Sequence, residues 1–139
     1  MAKMIFVNLP VTDLKRSMAF YEAVGFTNNP QFTNDMAAAM AWSDEIVVML
    51  LTHGFWKTFT DKAIPDARAA AQVLLCLSQD GRDAVDAIIG KAVKAGGRSE
   101  PTPKQDMGFM YGRSFEDPDG HIWENVYMNI AAVPEHAGA

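Results

Sequence analysis

The pattern of apolar and polar residues over the first 25 positions predicts a strand followed by a helix. We expect the strand in MIFVNLPV (4–11), an apolar run rich in β-forming residues. Thr12 or Asp13 can cap the helix LKRSMAFYEAVG, which ends at Gly25. The apolar face of this helix holds three residues with the spacing i, i+4 and i+7, namely Leu14, Met18 and Tyr21.

Three short apolar runs separated by polar residues come next. They predict three sequential antiparallel strands in FTNNPQF, MAAAMAW and IVVMLLT. The first half of the chain, about residues 4–52, therefore has the order β-α-β-β-β.

The same order recurs after a connector at 53–70, whose glycine, proline and mixed charges suit a loop with a short helical piece. A strand is expected in AQVLLCLS (71–78) and an amphipathic helix in DGRDAVDAIIGKAVKAGG (80–97). Three more strands are expected in RSEPTP, GFMYGRSFE and HIWENVYM, the last two joined by the turn DPDG. The inward face of the second helix is expected to hold Val85, Ile88, Ile89, Ala92 and Val93.

This repeat predicts an α+β fold in one domain, 1–139. Two βαβββ modules, about 4–52 and 71–128, should form curved mixed sheets around a cleft, with a flexible tail at 129–139. The repeat depends on the order of elements, since the two halves share little sequence.

Composition excludes several classes of function. A net charge of −5 gives no basic surface for nucleic acid, and no apolar run approaches the ~20 residues that span a bilayer. The N-terminal apolar run ends at Pro10, too short for a signal peptide, so we expect a cytoplasmic protein. The single cysteine, Cys76, cannot form an internal disulfide and implies no oxidising compartment. The apolar setting VLLCLS predicts that this cysteine packs in a core and is not a reactive thiol.

Two motifs carry a family resemblance: LPVTDLKRSMAFYEAVGF at the first strand-helix junction, and FEDPDGHIWE at the last hairpin. With a paired module between them, they resemble the vicinal oxygen chelate superfamily, which includes glyoxalase I, extradiol dioxygenases and bleomycin-resistance proteins. The resemblance covers about residues 4–128. It implies a ligand cleft lined by the two sheets, and a homodimer, since such proteins commonly dimerise or exchange modules to complete that cleft.

In metal-dependent members of this superfamily, two strands of each module supply the metal ligands. The resemblance places Phe6, Leu50 (within one residue), Leu74 and Glu124 at these positions. Because three of the four cannot donate to a metal, no metal or other cofactor is expected. The alternative is a slip of one residue that brings Asn8 or Thr52 inward as an oxygen ligand.

Glu124 is the remaining polar residue of this set. Strand alternation places it on one face with Ile122 and Val126, and turns Trp123 toward the helices. A carboxylate on an apolar face is costly unless paired, and Arg113 is the nearest charged candidate in sequence. Two interpretations remain open: Glu124 is a general base or polar anchor in a ligand cavity, or it is a structural residue.

None of the three histidines is interpreted as a metal ligand. We expect His53 at the rim of the fold and His121 in a structural role beside the DPDG turn, while His136 falls in the tail. The residues expected to line the ligand pocket are Phe6, Asn8, Leu50, Thr52, Leu74, Cys76, Tyr111, Arg113 and Glu124.

The function expected from this set is metal-independent binding of a small molecule, as in bleomycin-resistance proteins. The alternative is a glyoxalase-like lyase or isomerase that is metal-assisted or uses Glu124 as its base.

Overall fold

The computed structural model describes residues 1–133 and confirms the α+β fold with two curved mixed sheets. The first sheet has the strand order β1-β4-β3-β2, with β1 parallel to β4 and the other pairs antiparallel. A 3₁₀ turn, Pro30–Phe32, follows β2. The elements of this first module are β1 (Ile5–Val11), α1 (Leu14–Val24), β2 (Thr27–Asn29), β3 (Ala37–Ala41) and β4 (Ile46–Thr52).

The second sheet repeats this plan with the order β5-β9-β8-β6, and β5 is parallel to β9. A short helix, α2 (His53–Trp56), opens the connector. The elements of the second module are β5 (Leu75–Ser78), α3 (Arg82–Lys94), β6 (Arg98–Ser99), β7 (Gln105–Asp106), β8 (Met110–Glu116) and β9 (Ile122–Met128).

Two strands of the second module are shorter than expected. The strand expected from residue 71 begins at Leu75, since residues 71–74 are exposed and precede the register of β5 with β9. The strand expected in RSEPTP is limited to Arg98–Ser99, because Pro101 and Pro103 have no backbone N–H to donate to a ladder.

The helix ends follow the expected capping chemistry. The Asp13 carboxylate accepts a 3.1 Å hydrogen bond from the backbone N–H of Arg16, and Gly25 ends α1 with a φ of 120°. In α3 the expected inward face is correct for four residues and wrong for Val93, which is exposed. Because Val93 comes one residue after the buried Ala92, its side chain is rotated around the helix axis and points away from the sheet.

One hydrophobic core contains side chains from both modules. The ring of Phe20 on α1 lies 5.8 Å from the ring of Phe115 on β8, and Tyr21 lies 6.0 Å from Trp123 on β9. Trp123 is 2% exposed, as the expected strand alternation requires. The helices therefore join the two sheets through one face of each sheet.

The described residues end inside the expected tail, 129–139, whose flexibility stays a prediction. Residues Ile130–Ala132 form a 3₁₀ turn, and the rest of the tail, 134–139 with His136, lies outside the described residues. Within the described part of the chain, none of the helices has the length and apolar character needed to cross a membrane. The cytoplasmic location stays a prediction.

Candidate ligand cleft

Hydrogen bonds, two of them buried, join the two motifs that carried the family resemblance. The Tyr21 hydroxyl on α1 donates a 2.7 Å hydrogen bond to Oδ2 of Asp117, and it accepts one of 2.9 Å from the indole Nε1 of Trp123. The Asp119 carboxylate accepts hydrogen bonds from both the backbone N–H and the hydroxyl of Thr12. The β8–β9 turn is thereby held against the junction of β1 and α1.

Burial makes the Asp117 carboxyl costly to ionise. Desolvation raises its pKa, although His121 nearby and the hydrogen bond from Tyr21 act in the opposite direction. Burial and the Asp117 charge together also raise the pKa of Tyr21 well above its ordinary value. The Tyr21 proton therefore stays on the phenol, where it is available to Asp117.

The same turn positions the connector. Gly120 has a φ of 101°, and a Cβ atom there would lie 2.7 Å from the backbone nitrogen of Arg68. The Arg68 guanidinium in turn donates to the carbonyl of Pro118. Glycine is therefore required at this position both for its backbone conformation and for the close approach of the connector.

Each sheet has an open face, which we define as the side whose residues alternate with the core residues. On the first sheet, strand register aligns Phe6 with Val47 and Ala41 across three strands, and Asn8 with Met49 and Ala39 in the next row. The side chains of Leu9 and Val48, one residue along, are buried in the core. Phe6 is 59% exposed although it is a large aromatic residue.

A cavity of about 420 Å³ lies on this open face, and we call it the first cavity. The small side chains of Ala39 and Ala41 on β3 lie beside the larger apolar side chains of Met49 and Val47 on β4. Its complete lining is Met4, Phe6, Asn29, Phe32, Ala39, Ala41, Ser43, Asp44, Val47 and Met49.

The open face of the second sheet carries Glu124. Strand register places it between Cys76 on β5 and Ser114 on β8. Within residues 1–133 the Glu124 carboxylate has no hydrogen-bond partner. This part of the sheet forms a second cavity of about 240 Å³, lined by Cys76, Thr102, Pro103, Gln105, Met110, Gly112, Arg113, Glu124, Asn125, Val126 and Met128.

Cys76 is exposed on this open face, so the expectation that it packs in a core is wrong. Its pKa is raised, first by partial burial and then by the negative charge of Glu124 beside it. A raised pKa lowers the fraction of reactive thiolate at neutral pH.

Two expected pocket residues of the first module lie on the helix side. Leu50 is fully buried in the core, so its expected place in the pocket is corrected by one residue, to Met49. The hydroxyl of Thr52 accepts a 3.3 Å hydrogen bond from the backbone N–H of Phe55 and so caps α2. Neither Leu50 nor Thr52 is among the residues that line the two cavities.

Two expected pocket residues of the second module also have their side chains on the helix side. Arg113 lies opposite Asn125, not opposite Glu124, and its guanidinium contacts Glu100 at 2.6 Å and Asp86 at 3.0 Å. The hydroxyl of Tyr111 donates to the same Asp86. The expectation that Arg113 pairs with Glu124 is therefore wrong, because strand alternation separates odd and even positions.

The remaining expected residues lie at the edges of the two sheets. Leu74 is 51% exposed just before β5. Asn8 is exposed and lines a third cavity between β1, β9 and the connector. His121 contacts the carbonyl oxygen of Pro10 at 2.8 Å, which supports its structural interpretation, and His53 begins α2.

The chain does not bring the four family-aligned positions together around one cavity. Phe6 and Met49 line the first cavity, which contains only residues of the first module, and Glu124 lines the second, which contains only residues of the second module. Within residues 1–133, the two cavities are therefore separate, with one on the open face of each module.

The side chains at these positions do not fit a metal ion. Phe6, Met49 and Leu74 present no oxygen or nitrogen donor, and a single carboxylate falls short of the three ligands that catalytic metal sites commonly use. Within residues 1–133, no three His, Cys, Asp or Glu residues are grouped so as to hold a metal ion. The structure gives no replacement ligand set in the part of the chain that it describes.

Sequence reasoning missed most of the first cavity. The alternation in MAAAMAW indicated which alanines share a face, but not which residues of β1 and β4 lie beside them. Phe32 and Asp44 lie in turns, for which the alternation gives no direction.

Comparison with known proteins assigns the chain to a superfamily. The sequence model of the Glyoxalase/Bleomycin resistance protein/Dioxygenase superfamily matches residues 3–125. The chain therefore belongs to this superfamily. None of the curated proteins matches the chain significantly in sequence.

Solved structures of similar fold include proteins of different description. A hypothetical protein from S. aureus is 27% identical with a TM-score of 0.75, over 91% of this chain and 95% of that one. A glyoxalase/bleomycin resistance protein/dioxygenase family enzyme from Burkholderia phytofirmans PsJN is 19% identical with a TM-score of 0.74, over 91% and 99%. TnmS3, an antibiotic binding protein from Streptomyces sp. CB03234, is 19% identical with a TM-score of 0.64, over 92% and 97%.

Proposed function

We propose that this protein binds a small, partly apolar molecule without a metal ion. The observation that carries the proposal is the chemistry of the family-aligned positions. Phe6, Met49 and Leu74 stand where metal-dependent relatives have donors, so apolar contact replaces coordination there. Glu124 is the one polar side chain kept, and it can fix the orientation of a ligand.

Exposed apolar surface supports this function. Phe6 and Phe32, which are 59% and 62% exposed, both line the first cavity, and exposed apolar residues grouped in this way mark a surface that can bind another molecule. The similarity to an antibiotic binding protein is in fold, and it makes sequestration of a small organic molecule a reasonable class of function.

A second copy of the chain would complete the cleft. The open face with Phe6 and the open face with Glu124 each form a half-cleft on a different module. In a two-fold symmetric dimer, the first module of one copy can face the second module of its partner, and this forms two equivalent clefts. We therefore propose a homodimer in which each cleft contains residues of both copies.

A thermal-shift screen of small apolar and carbonyl compounds against chelator-treated protein tests the binding function. Compounds that bind should raise the melting temperature of the wild type and lose this effect with Phe6→Ala. Phe59→Ala is the matched control, because Phe59 on the connector is also 59% exposed but lines none of the cavities described. If no compound stabilises the wild type, or if both variants lose the effect equally, the proposed function fails.

The second candidate function is that of a lyase or isomerase with Glu124 as general base. It is favoured by one observation, that the Glu124 carboxylate lines a cavity and has no hydrogen-bond partner within residues 1–133. Glu124→Gln keeps the size of the side chain but removes the base. If a hit compound is converted by the wild type and bound but not converted by Glu124→Gln, the enzyme function replaces simple binding.

A further inference from the structure

We propose that the ligand is a flat, fused-ring apolar molecule with a positive charge at one end, and that its ring system lies in the first cavity. This inference rests on the proposed binding function and specifies the chemical class of the ligand. Shape, the type of the lining side chains and charge each support it.

The floor of the first cavity is a shallow depression on the open face of the first sheet. Ala39 and Ala41 alternate on β3, and their neighbours across the register on β4 are Met49 and Val47. A methyl group beside longer side chains leaves a depression one layer deep, which suits a ring lying flat on the sheet. The volume of about 420 Å³ is within the range of about 300–1,000 Å³ typical of small-molecule sites.

The walls suit aromatic rings. Phe6 on β1 and Phe32 after β2 line opposite strand edges of this cavity, and both are largely exposed. Met4 and Met49 add flexible, polarisable side chains that adapt to irregular apolar surfaces. Ring faces and methionine sulfur both pack favourably against a planar π system.

The charged groups favour a cation. Asp44 is the one charged residue of the first cavity, and Glu124 is the acidic residue of the second. Arg113 lines the second cavity, but its guanidinium is paired with Glu100 and Asp86 on the helix side. Within residues 1–133, the side chains that line the two half-clefts therefore carry negative charge and no unpaired positive charge.

The expected size of the charge effect is modest. Asp44 is exposed in the turn between β3 and β4, where water screens its charge. Exposed ion pairs contribute up to about 1 kcal/mol, which corresponds to about a fivefold preference for the cation.

Three fluorescent tricyclic probes of similar size test the proposal: proflavine as the cation, acridone as the neutral compound and anthracene-9-carboxylate as the anion. Their affinities are measured by fluorescence anisotropy with the wild type and three variants. Ala41→Leu fills the floor of the first cavity, Asp44→Asn removes the charge at its rim, and Asp61→Asn removes an exposed charge on the connector as a control. Circular dichroism confirms that each variant is folded.

The proposal predicts that proflavine binds the wild type most tightly and that Ala41→Leu weakens all three probes about tenfold or more, since a filled site loses the ring contacts. Asp44→Asn should weaken proflavine about two- to fivefold and leave acridone unchanged. Asp61→Asn should change none of them.

Four results would overturn the proposal. If the anion binds as tightly as the cation or more tightly, the proposed positive charge of the ligand is wrong. If binding survives Ala41→Leu, the proposed position of the ring system in the first cavity is wrong. If compounds from the thermal-shift screen bind in a Phe6-dependent manner but all three tricyclic probes fail, the ligand class is wrong while the binding function stands. If nothing binds in either experiment, both proposals fail.

Discussion

Glu124 on β9 and Cys76 on β5 are register partners in a parallel strand pair, and both line the second cavity. The negative charge of Glu124 contributes to the raised pKa of the Cys76 thiol. The thiol is therefore a reporter of charge at the residue that both candidate functions use.

Replacing Glu124 with Gln should lower the pKa of Cys76 and speed its alkylation. Without the neighbouring charge, the thiolate is less costly to form, and its fraction at pH 8 increases. We expect the rate with iodoacetamide to rise severalfold, given that one pKa unit corresponds to about a tenfold change in thiolate. The chain has one cysteine, so mass spectrometry follows a single site.

Glu22→Gln on the exposed surface of α1 is the control, and its alkylation rate should match the wild type. An unchanged rate in Glu124→Gln would show that Glu124 does not face Cys76, and the description of the second cavity would have to be abandoned.

The Tyr21 hydroxyl should be important for stability. Tyr21→Phe leaves two buried groups, the Asp117 carboxylate and the indole N–H of Trp123, without the partner they have now. We expect the free energy of unfolding to fall by about 2–3 kcal/mol in urea denaturation. Tyr127→Phe removes a half-buried hydroxyl that has no hydrogen bond within residues 1–133, and should cost no more than about 0.5 kcal/mol. Equal losses in the two variants would contradict the hydrogen-bonding role.

The raised pKa of Asp117 predicts how stability changes with pH. A carboxyl whose pKa is higher in the folded state than in the unfolded state stabilises the fold while it is protonated. This stability is fully present below the pKa of the unfolded state, ordinarily 3.8, and is lost as pH rises through the pKa of the folded state. The unfolding free energy of the wild type minus that of Asp117→Asn should therefore be largest near pH 3.8 and should decrease as pH rises through the pKa of folded Asp117. Tyr21, Asp119 and His121 face this carboxyl.

Urea titrations of both proteins across the acid range would measure this difference, and charges elsewhere cancel because both proteins share them. A difference that grows with rising pH would mean that the hydrogen bonds to Asp117 outweigh its burial.

The sequence predicted the fold well because the fold depends on local patterns. Strand alternation correctly predicted that Trp123 faces inward and Glu124 outward, and the capping residues correctly predicted both ends of α1. The errors in the fold fell where tertiary pairing decides the outcome. The first residues of the predicted fifth strand have no partner, and Val93 lies one residue beyond the buried face of its helix.

The site was predicted less well because strand register was unknown. A shift of one residue moves a side chain to the other face of a sheet, which is why Leu50 replaced Met49 in the expected pocket. Because of the same uncertainty, Arg113 was expected to pair with Glu124, although their side chains lie on opposite faces of the sheet. Cys76 was assigned to the core from its apolar neighbours, but its side chain lies on the open face of the second sheet, and the buried residue is Leu77 beside it.

The proposed dimer predicts complementation between two damaged variants. Ala41→Leu blocks the first cavity and Cys76→Trp, at an exposed position, blocks the second. Each variant alone should lose ligand binding. After unfolding and joint refolding, mixed dimers contain one cleft with both changes and one with neither, so about one cleft in four should recover.

Light scattering should give a mass near twice 15.2 kDa for the wild type and both variants. A monomer at all concentrations, or a mixture that recovers no binding, would mean that each cleft is formed within one chain.

The central claim is that the cleft binds its ligand without a metal ion, and the direct measurement is calorimetric titration of one screening hit into protein of known metal content. Protein purified without chelator should carry well under one equivalent of divalent metal by elemental analysis. The dissociation constant should be the same before and after treatment with chelator, because Phe6, Met49 and Leu74 offer no oxygen or nitrogen donor. The contradictory result is about one Zn, Ni, Mn or Fe per chain, lost in Glu124→Ala, with ligand binding that disappears when the metal is removed and returns when it is restored.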